Sequence, residues 1–181
     1  MDKTIQVKDK RFAVSIPEEQ IRREVQRVAA EITRDHAGEE PVFLVVLNGA
    51  FIFAADLVRE VNLPCEISFV RLASYQGMAS TGIIREIVGL SVDVTNRPVV
   101  IVEDIVDTGL TMAYMLDMLQ KHNPSSIDVC ALLVKPEKLE VDIDIRYRCF
   151  DIPNDFILGY GLDYDELARN TKDIYTLVHS S

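Results

Sequence analysis

The sequence predicts an α/β fold, in which a twisted and mainly parallel sheet is flanked by helices on both faces. Residues 42–47, 99–102 and 127–134 form apolar runs that suit the strands of a covered parallel sheet, because both faces of such strands are buried. The first two runs each lead through a glycine-containing turn into a segment whose apolar residues recur at helical spacing. Strands that alternate with helices in this way are typical of a parallel sheet with crossover connections.

Length and charge limit the class of protein. The chain has 181 residues, enough for one domain with a substantial core, and a formal net charge of -10 without a basic cluster. That charge disfavours nucleic acid or an anionic membrane as the main partner. The apolar runs are shorter than the roughly 18 residues of a spanning helix, and residues 1–10 lack the apolar stretch of a signal peptide. We expect a single soluble domain over residues 1–181.

The cysteines indicate the compartment. Cys65, Cys130 and Cys149 are odd in number, scattered, and without CxxC spacing. This pattern favours reduced thiols over disulfides or a zinc site. We therefore expect a cytoplasmic protein.

The first helix is predicted over residues 17–35. Ser15 and Glu18 have the spacing of a capping box, with a proline between them in the first turn. Four apolar residues then mark one face of the helix: Ile21, Val25, Val28 and Ile32. His36, at the end of this helix, is expected to be exposed.

The strand at residues 42–47 is followed by Asn48 and Gly49, and then by a predicted helix over residues 50–61. The backbone N–H groups at such a helix start can hold an anion, although a plain connection explains the pattern equally well. Strands are next predicted over residues 65–72 and 83–88. The small, polar loop between them could be functional or an ordinary surface hairpin.

The most informative segment is residues 99–111, with the sequence VVIVEDIVDTGLT. It predicts a buried strand, an acidic loop, and a helix that begins near Thr111 and ends before Asn123. Ligands of open α/β sheets bind in the crevice at the carboxyl ends of the strands, where helix N-termini favour anions.

The residue types in this segment suit a phosphorylated sugar with a metal ion. Residues 108–111 offer backbone N–H and hydroxyl donors to a phosphate. Glu103 and Asp104 are acceptors for sugar hydroxyls or for Mg²⁺. Asp107 is placed to accept a proton from the bound molecule.

Other interpretations of the same residues are weaker. A buried strand with an acidic turn and no function would have this composition. A P-loop does not fit, because no Gly-Lys-Ser/Thr follows. The Asp-Thr-Gly triplet of aspartic proteases occurs once, and a helical pattern follows it.

The segment VVIVEDIVDTGLT resembles the phosphoribosyl diphosphate signature of type I phosphoribosyltransferases, most closely that of hypoxanthine-guanine phosphoribosyltransferases. Three further motifs follow the family's order: the loop at residues 47–49, Lys135 after a strand, and residues 149–164 (CFDIPNDFILGYGLDY) with Arg169 beyond them. The resemblance spans about residues 42–169. It implies the type I phosphoribosyltransferase fold, with a core of about 37–136 and a small hood of about 1–15 and 137–181.

The resemblance also implies a role for individual residues. Phosphoribosyl diphosphate would be bound by Glu103, Asp104, Asp107, Thr108, Gly109, Leu110, Thr111, Asn48, Gly49 and Arg169, with Asp107 as the catalytic residue. The purine would be bound by Ile105, Lys135, Phe156 and Ile157, and Mg²⁺ by Glu103, Asp104 and Asp163. Ser74 and Tyr75, with residues 80–82, would belong to a lid over the active site.

Two details of the family's diphosphate sites bear on this chain. The resemblance implies a cis peptide bond between Leu47 and Asn48. Asn48 and Leu110 stand where basic residues are frequent in the family, so at these two positions the side chains of this chain carry no positive charge.

The implied activity is purine salvage, in which 5-phosphoribosyl 1-diphosphate and a 6-oxopurine, hypoxanthine or guanine, give IMP or GMP and diphosphate. Family members are usually homodimers or homotetramers. Two alternatives stay open at this point: a regulator of the same fold that binds nucleic acid, and an enzyme that prefers xanthine or adenine.

Overall fold

The computed structural model describes residues 3–75 and 83–179. The strands in these ranges are β1 (Thr4–Val7), β2 (Lys10–Ile16), β3 (Val42–Leu47), β4 (Glu66–Tyr75), β5 (Ile83–Val88), β6 (Pro98–Val106), β7 (Ser126–Val134), β8 (Tyr147–Asp151), β9 (Ile157–Leu158) and β10 (Ile174–Leu177). The helices are α1 (Glu18–Asp35), α2 (Phe51–Glu60) and α3 (Leu110–Gln120), with a 3₁₀ turn at Pro136–Lys138. Within these ranges, no helix is long and apolar enough to cross a membrane.

The main sheet has six strands in the order β5-β4-β3-β6-β7-β8. Strands β4, β3, β6, β7 and β8 run parallel, and β5 is antiparallel to β4 at one edge. The predicted mainly parallel α/β sheet is therefore confirmed. Its carboxyl edge carries the ends of β3, β6 and β7, which are the three strands that the sequence marked as buried.

Alternate residues of the central strands point to opposite faces, and each face is covered by helices. On one face α1 and α2 bury Val28 and Leu57 against Phe43 and Val102. On the other face α3 buries Met115 against the sheet. This layering explains the continuous apolar runs, because no side of these strands meets solvent.

The N- and C-terminal segments form a second, antiparallel sheet in the order β1-β2-β10-β9, which we call the hood. Its own small core contains Val7, Phe12, Leu158 and Tyr175. The predicted boundary of the hood is wrong in one respect. Strand β8 lies within residues 137–181, yet it pairs in parallel with β7 and completes the main sheet. Its Tyr147 and Cys149 are buried in the core that α1 covers.

The predicted capping box of α1 is also wrong. Ser15 belongs to β2, and its hydroxyl donates to the carbonyl of Ile174 at 3.3 Å. The N–H of Glu18 instead donates to Asp173 Oδ1 at 2.8 Å, from a residue 155 positions later in the chain. Burial raises the pKa of Asp173, but the hydrogen bonds from Lys3 and from the Glu18 N–H outweigh it and hold that pKa below its ordinary value.

His36 is buried, not exposed as expected. Its Nδ1 lies 2.7 Å from Glu39 Oε2 and its Nε2 lies 3.1 Å from Asp128 Oδ2. The side chain therefore ties the end of α1 to β7 at the edge of the main sheet opposite the crevice.

We predict that Asp173→Ala lowers the free energy of unfolding by about 1 to 2 kcal/mol at pH 7, because a helix loses its N-terminal cap. Since folding lowers the pKa of Asp173, its contribution is present above the ordinary carboxyl range and is lost as the pH falls through it. The deficit of the variant should therefore shrink below about pH 4. Urea titrations of the wild type and the variant from pH 7 down to below about pH 4 measure this difference in the free energy of unfolding.

The matched control is Asp117→Ala, which removes an exposed aspartate that pairs with Lys121 on α3. It should change stability by less than about 0.5 kcal/mol. Equal stabilities of wild type and Asp173→Ala at pH 7 would show that Asp173 does not stabilise α1.

Candidate active site

The turn between β6 and α3 forms a cradle for an anion. Strand β6 continues to Val106, four residues beyond the predicted strand, and Gly109 is the N-cap of α3 with φ of +83°. Helical hydrogen bonding starts with the Ala113 N–H, which donates to Gly109 O at 2.9 Å. The N–H groups of Thr111 and Met112 therefore have no acceptor inside the helix and remain available to a ligand.

The cradle is a cavity of about 110 Å³, lined by Glu103, Ile105, Val106, Asp107, Thr108, Gly109, Thr111 and Met112. It thus contains most of the residues that the signature segment predicted. Leu110 lies at the first position of α3 and is about half exposed. Its side chain brings no charge to the cavity.

The two acids at the carboxyl end of β6 have different environments. Glu103 is buried, and its Oε1 accepts the N–H of Asp104 at 3.0 Å. Asp104 Oδ1 accepts the N–H of Ile105 at 2.8 Å. Burial raises the pKa of Glu103 well above its ordinary value, and the neighbouring Asp104 charge raises it further. A bound cation would offset both effects, so this pair suits a metal or a cationic reaction centre.

The connection between β3 and α2 touches the end of β6. The Leu47–Asn48 peptide bond is cis, which confirms the expectation from the sequence. A Cβ atom on Gly49 would lie 1.8 Å from Asp104 Oδ2, so only glycine allows this approach. A Cβ atom on Gly161 would in turn lie 2.2 Å from Gly49 O. Three distant chain segments therefore meet at Gly49.

Arg169 and Asp163 lie beside this meeting point as an ion pair. Arg169 Nη1 donates to Gly161 O at 2.8 Å, and its Nη2 lies 3.3 Å from Asp163 Oδ1 and 3.1 Å from Glu166 Oε2. Asp163 Oδ2 accepts the N–H of Glu166 at 2.8 Å. The sequence predicted Arg169 for diphosphate and Asp163 for metal. In the structure each is the partner of the other.

Asp107 lies between two lysines. Lys135 is buried at the end of β7, with Nζ 3.9 Å from Asp107 Oδ2 and 3.5 Å from Asn154 Oδ1. Lys138 Nζ is closer, at 2.9 Å from Asp107 Oδ1. The resemblance named Asp107 and Lys135 as site residues, and the structure brings them together, whereas Lys138 was not identified. Nothing in its local sequence separates it from an ordinary surface lysine.

The residues predicted to bind the purine come from two places. Ile105 lies in the cradle, but Phe156 packs in the hood, with ring centroids 6.1 Å from Phe12 and 5.7 Å from Tyr164. Phe156 is 45% exposed, which leaves part of its ring available. Ile157 is buried in β9 and lines a cavity of about 320 Å³ between β8 and the hood. Asn154, beside Lys135, connects this segment to the cradle.

Two other features lie outside this cluster. Ser74 and Tyr75 end β4 and pair with β5, while residues 76–82 of the predicted lid lie outside the described residues.

A cavity of about 330 Å³, slightly larger than that beside the hood, lies between α1, α2 and residues 160–172. It holds none of the predicted site residues. The convergence of predicted groups, and not cavity size, therefore identifies the candidate site.

This arrangement of a parallel sheet, an acidic strand end and an anion cradle agrees with the comparisons to known proteins. The family model described as "Phosphoribosyl transferase domain" matches residues 17–165. The chain therefore belongs to the phosphoribosyltransferase family.

The similarity extends to one branch of that family. The hypoxanthine-guanine phosphoribosyltransferase of Mycobacterium avium is 42% identical over 172 residues, which cover 91% of this chain and 85% of the relative. That of Aquifex aeolicus is 38% identical over 94% of this chain and 97% of the relative. The recognition made from the sequence motifs is confirmed.

Solved structures give the same result. A hypoxanthine-guanine phosphoribosyltransferase of Bacillus anthracis superposes with a TM-score of 0.87 at 39% identity, over 92% of this chain and 96% of that one. The hypoxanthine phosphoribosyltransferase of Trypanosoma cruzi, solved as a ternary substrates complex of a point mutant, gives 0.86 at 36% identity, over 91% and 94%.

We predict that Gly49→Ala impairs the site without unfolding the protein. The added methyl would meet Asp104 Oδ2 at 1.8 Å and must displace either that carboxylate or the loop. A displacement of about 1 Å at a reacting centre can cost a factor of about 10² in rate. Turnover of phosphoribosyl diphosphate and thermal unfolding should be measured together.

The control is Gly38→Ala, where φ is +82° and a Cβ would meet no atom within 4 Å. It should lose some stability through backbone strain and keep its turnover. Normal turnover of Gly49→Ala would show that the close approach to Asp104 is not needed.

Proposed function

We propose that this protein is a purine salvage enzyme, which transfers the 5-phosphoribosyl group from 5-phosphoribosyl 1-diphosphate to a 6-oxopurine. Hypoxanthine gives IMP and guanine gives GMP, with diphosphate as the second product. One observation carries the proposal. A phosphate cradle, an acidic pair and a lysine-aspartate pair meet at one edge of the sheet, in a chain whose relatives have this activity in their names.

Each part of 5-phosphoribosyl 1-diphosphate is bound by a different group of residues. The N–H groups and hydroxyls of residues 108–111 bind the 5'-phosphate, since the start of α3 leaves those donors free. Glu103 and Asp104 accept hydrogen bonds from the ribose hydroxyls. The loop at Asn48 and Gly49 binds the diphosphate through its backbone, and Arg169 joins it when it leaves Asp163.

The purine binds between the cradle and the hood. Lys135 donates to the carbonyl oxygen at position 6, the backbone at Ile157 contacts the edge of the ring, and Ile105 and Phe156 hold its two faces. A ring nitrogen bonds to the anomeric carbon while the bond from that carbon to diphosphate breaks. The electron pair leaves with the diphosphate, and Asp107 accepts the proton that the purine loses.

The donor set fits Mg²⁺, which prefers carboxylate oxygens and usually keeps several ligands from substrate or water. Among the described residues no three His, Cys, Asp or Glu side chains are grouped for a metal, so substrate oxygens would complete the coordination. Glu103 and Asp104 would hold the ion at the end of β6, and Asp163 would contribute a ligand once it is released from Arg169. When bound, it supplies positive charge that neutralises the leaving diphosphate.

We predict that Lys135→Gln lowers kcat/KM for hypoxanthine about 10- to 150-fold, because a hydrogen bond from a charged donor is worth about 1.5 to 3 kcal/mol. The wild type should form nucleotide from hypoxanthine or guanine and very little from adenine, whose amino group at position 6 faces another donor. Nucleotide formation should be measured with Mg²⁺, phosphoribosyl diphosphate and hypoxanthine, guanine, xanthine or adenine in turn.

The matched control is Lys121→Gln, which removes an exposed lysine at the C-cap of α3 and should leave kcat/KM unchanged. If Lys135→Gln keeps the wild-type value, Lys135 does not contact the purine. If the wild type forms nucleotide from none of the four bases, the proposed function is wrong.

We further propose that the enzyme works in the cytoplasm as a homodimer or homotetramer. The three cysteines are free thiols, which suits a reducing compartment. Ile67 and Phe69 of β4 and Val88 of β5 lie on one face at the edge of the main sheet and are each more than 40% exposed. Such a stripe of apolar side chains can pair with itself across a two-fold axis.

We expect the purified wild type to be a dimer or tetramer by light scattering, and Phe69→Glu to be a smaller species with an unchanged circular dichroism spectrum. Placing a carboxylate in this contact would leave a charge without a partner. Val178→Glu, which changes another exposed apolar residue, should keep the wild-type mass. A monomeric wild type, or an unchanged mass of Phe69→Glu, would contradict an interface at this face.

A further inference from the structure

The 3₁₀ turn after β7 carries a lysine, Lys138, that the proposed mechanism does not use. We propose that Lys138 is a positioning residue for Asp107. By pairing with this carboxylate, it keeps Asp107 away from Lys135 and leaves Lys135 free to bind the purine. The inference rests on the proposed function and adds a residue to it.

The distances support this division of roles. Lys138 Nζ lies 2.9 Å from Asp107 Oδ1 in an ion pair without hydrogen-bond geometry, so this solvent-shielded oxygen has no hydrogen-bond partner among the described residues. Lys135 Nζ lies 3.9 Å from the other oxygen, which is too far for a hydrogen bond. Although Lys135 is nearly buried and close to Asp107, it is Lys138 that makes the direct contact with the carboxylate.

The backbone fixes Lys138 at this place. Its own N–H donates to Lys135 O at 3.0 Å, and the Lys135 N–H donates to Val106 O at 3.0 Å. On the other side of Lys138, the N–H of Glu140 donates to Thr108 O at 2.9 Å. The turn is therefore hydrogen-bonded to Val106 and Thr108, the residues immediately before and after Asp107. These bonds fix the backbone of Lys138 relative to that of Asp107.

Removing the ammonium group of Lys138 leaves Lys135 as the nearest cation to Asp107. The two side chains then attract each other across less than 4 Å with no competing charge, and a direct contact between them is favoured. Such a contact would withdraw the donor for the purine carbonyl and the acceptor for the purine proton together. Apart from Asp107 itself, the residues proposed to bind the sugar diphosphate form no hydrogen bond or ion pair with either lysine side chain among the described residues, so its affinity should change little.

The test compares Lys138→Met, Lys138→Arg and the control Lys121→Met, which removes an exposed lysine that lies 2.8 Å from Asp117. We expect Lys138→Met to lower kcat/KM for hypoxanthine about 10- to 100-fold, a loss typical of misplaced reacting groups. The Kd for phosphoribosyl diphosphate, measured by calorimetry with Mg²⁺, should stay at the wild-type value. Lys138→Arg should recover most of the activity, and Lys121→Met should match the wild type.

A double-mutant cycle then identifies the partner. In an Asp107→Asn background, Lys138→Met should cause little further loss, because the carboxylate through which Lys138 acts is already absent. A full additional loss in that background would overturn the proposal, as would unchanged activity of Lys138→Met or an equal loss of affinity for phosphoribosyl diphosphate. If the wild type is active and one of these contradicting outcomes is found, only the role of Lys138 is wrong and the proposed function stands. If the wild type is inactive, the proposed function itself is wrong.

Discussion

The parallel register of β3, β6 and β7 is the constraint on which the candidate site depends. Because these neighbouring strands run in the same direction, their carboxyl ends lie at one edge of the sheet. That edge receives the loop at Gly49, the acids of β6 and Lys135 together. In an antiparallel arrangement of the same strands, alternate ends would point away, and these groups would be separated by the length of a strand.

The hood adds what the sheet edge lacks. The cradle offers charge and hydrogen-bond donors, whereas Phe156 and its aromatic neighbours belong to a sheet built from the two ends of the chain. Gly161 fits against Gly49 O, and Asp173 caps α1, so the hood is fixed to the main sheet at two separate points. The cradle and the aromatic residues proposed to hold the purine therefore come from different sheets, and their spacing depends on contacts between the two sheets.

The sequence was sufficient to predict those features of the structure that depend on residues close together in the chain. Buried strands show in their apolar runs, α1 and α2 in their periodicity, and the cradle in the residues at the end of β6 and in the turn after it. It was insufficient where one residue acts on another far away in the chain. Ser15 has the composition of a cap but its hydroxyl binds Ile174, while Asp173 supplies the cap. The ion pair of Lys138 with Asp107 likewise follows from the packing of two loops, which no pattern within either loop encodes.

The cap that Asp173 provides also has a consequence for the order of events during synthesis. Glu18 leaves the ribosome long before Asp173, since 155 residues separate them, so an α1 that forms earlier in synthesis lacks this side-chain acceptor at its first turn. Strand β2 is likewise synthesised long before β10, its neighbour in the hood. The main sheet can assemble from segments already made, but the hood, where we propose that the base binds, is completed only when residues 174–177 emerge. A chain whose synthesis stops before β10 would therefore carry the cradle between β6 and α3 without a complete hood.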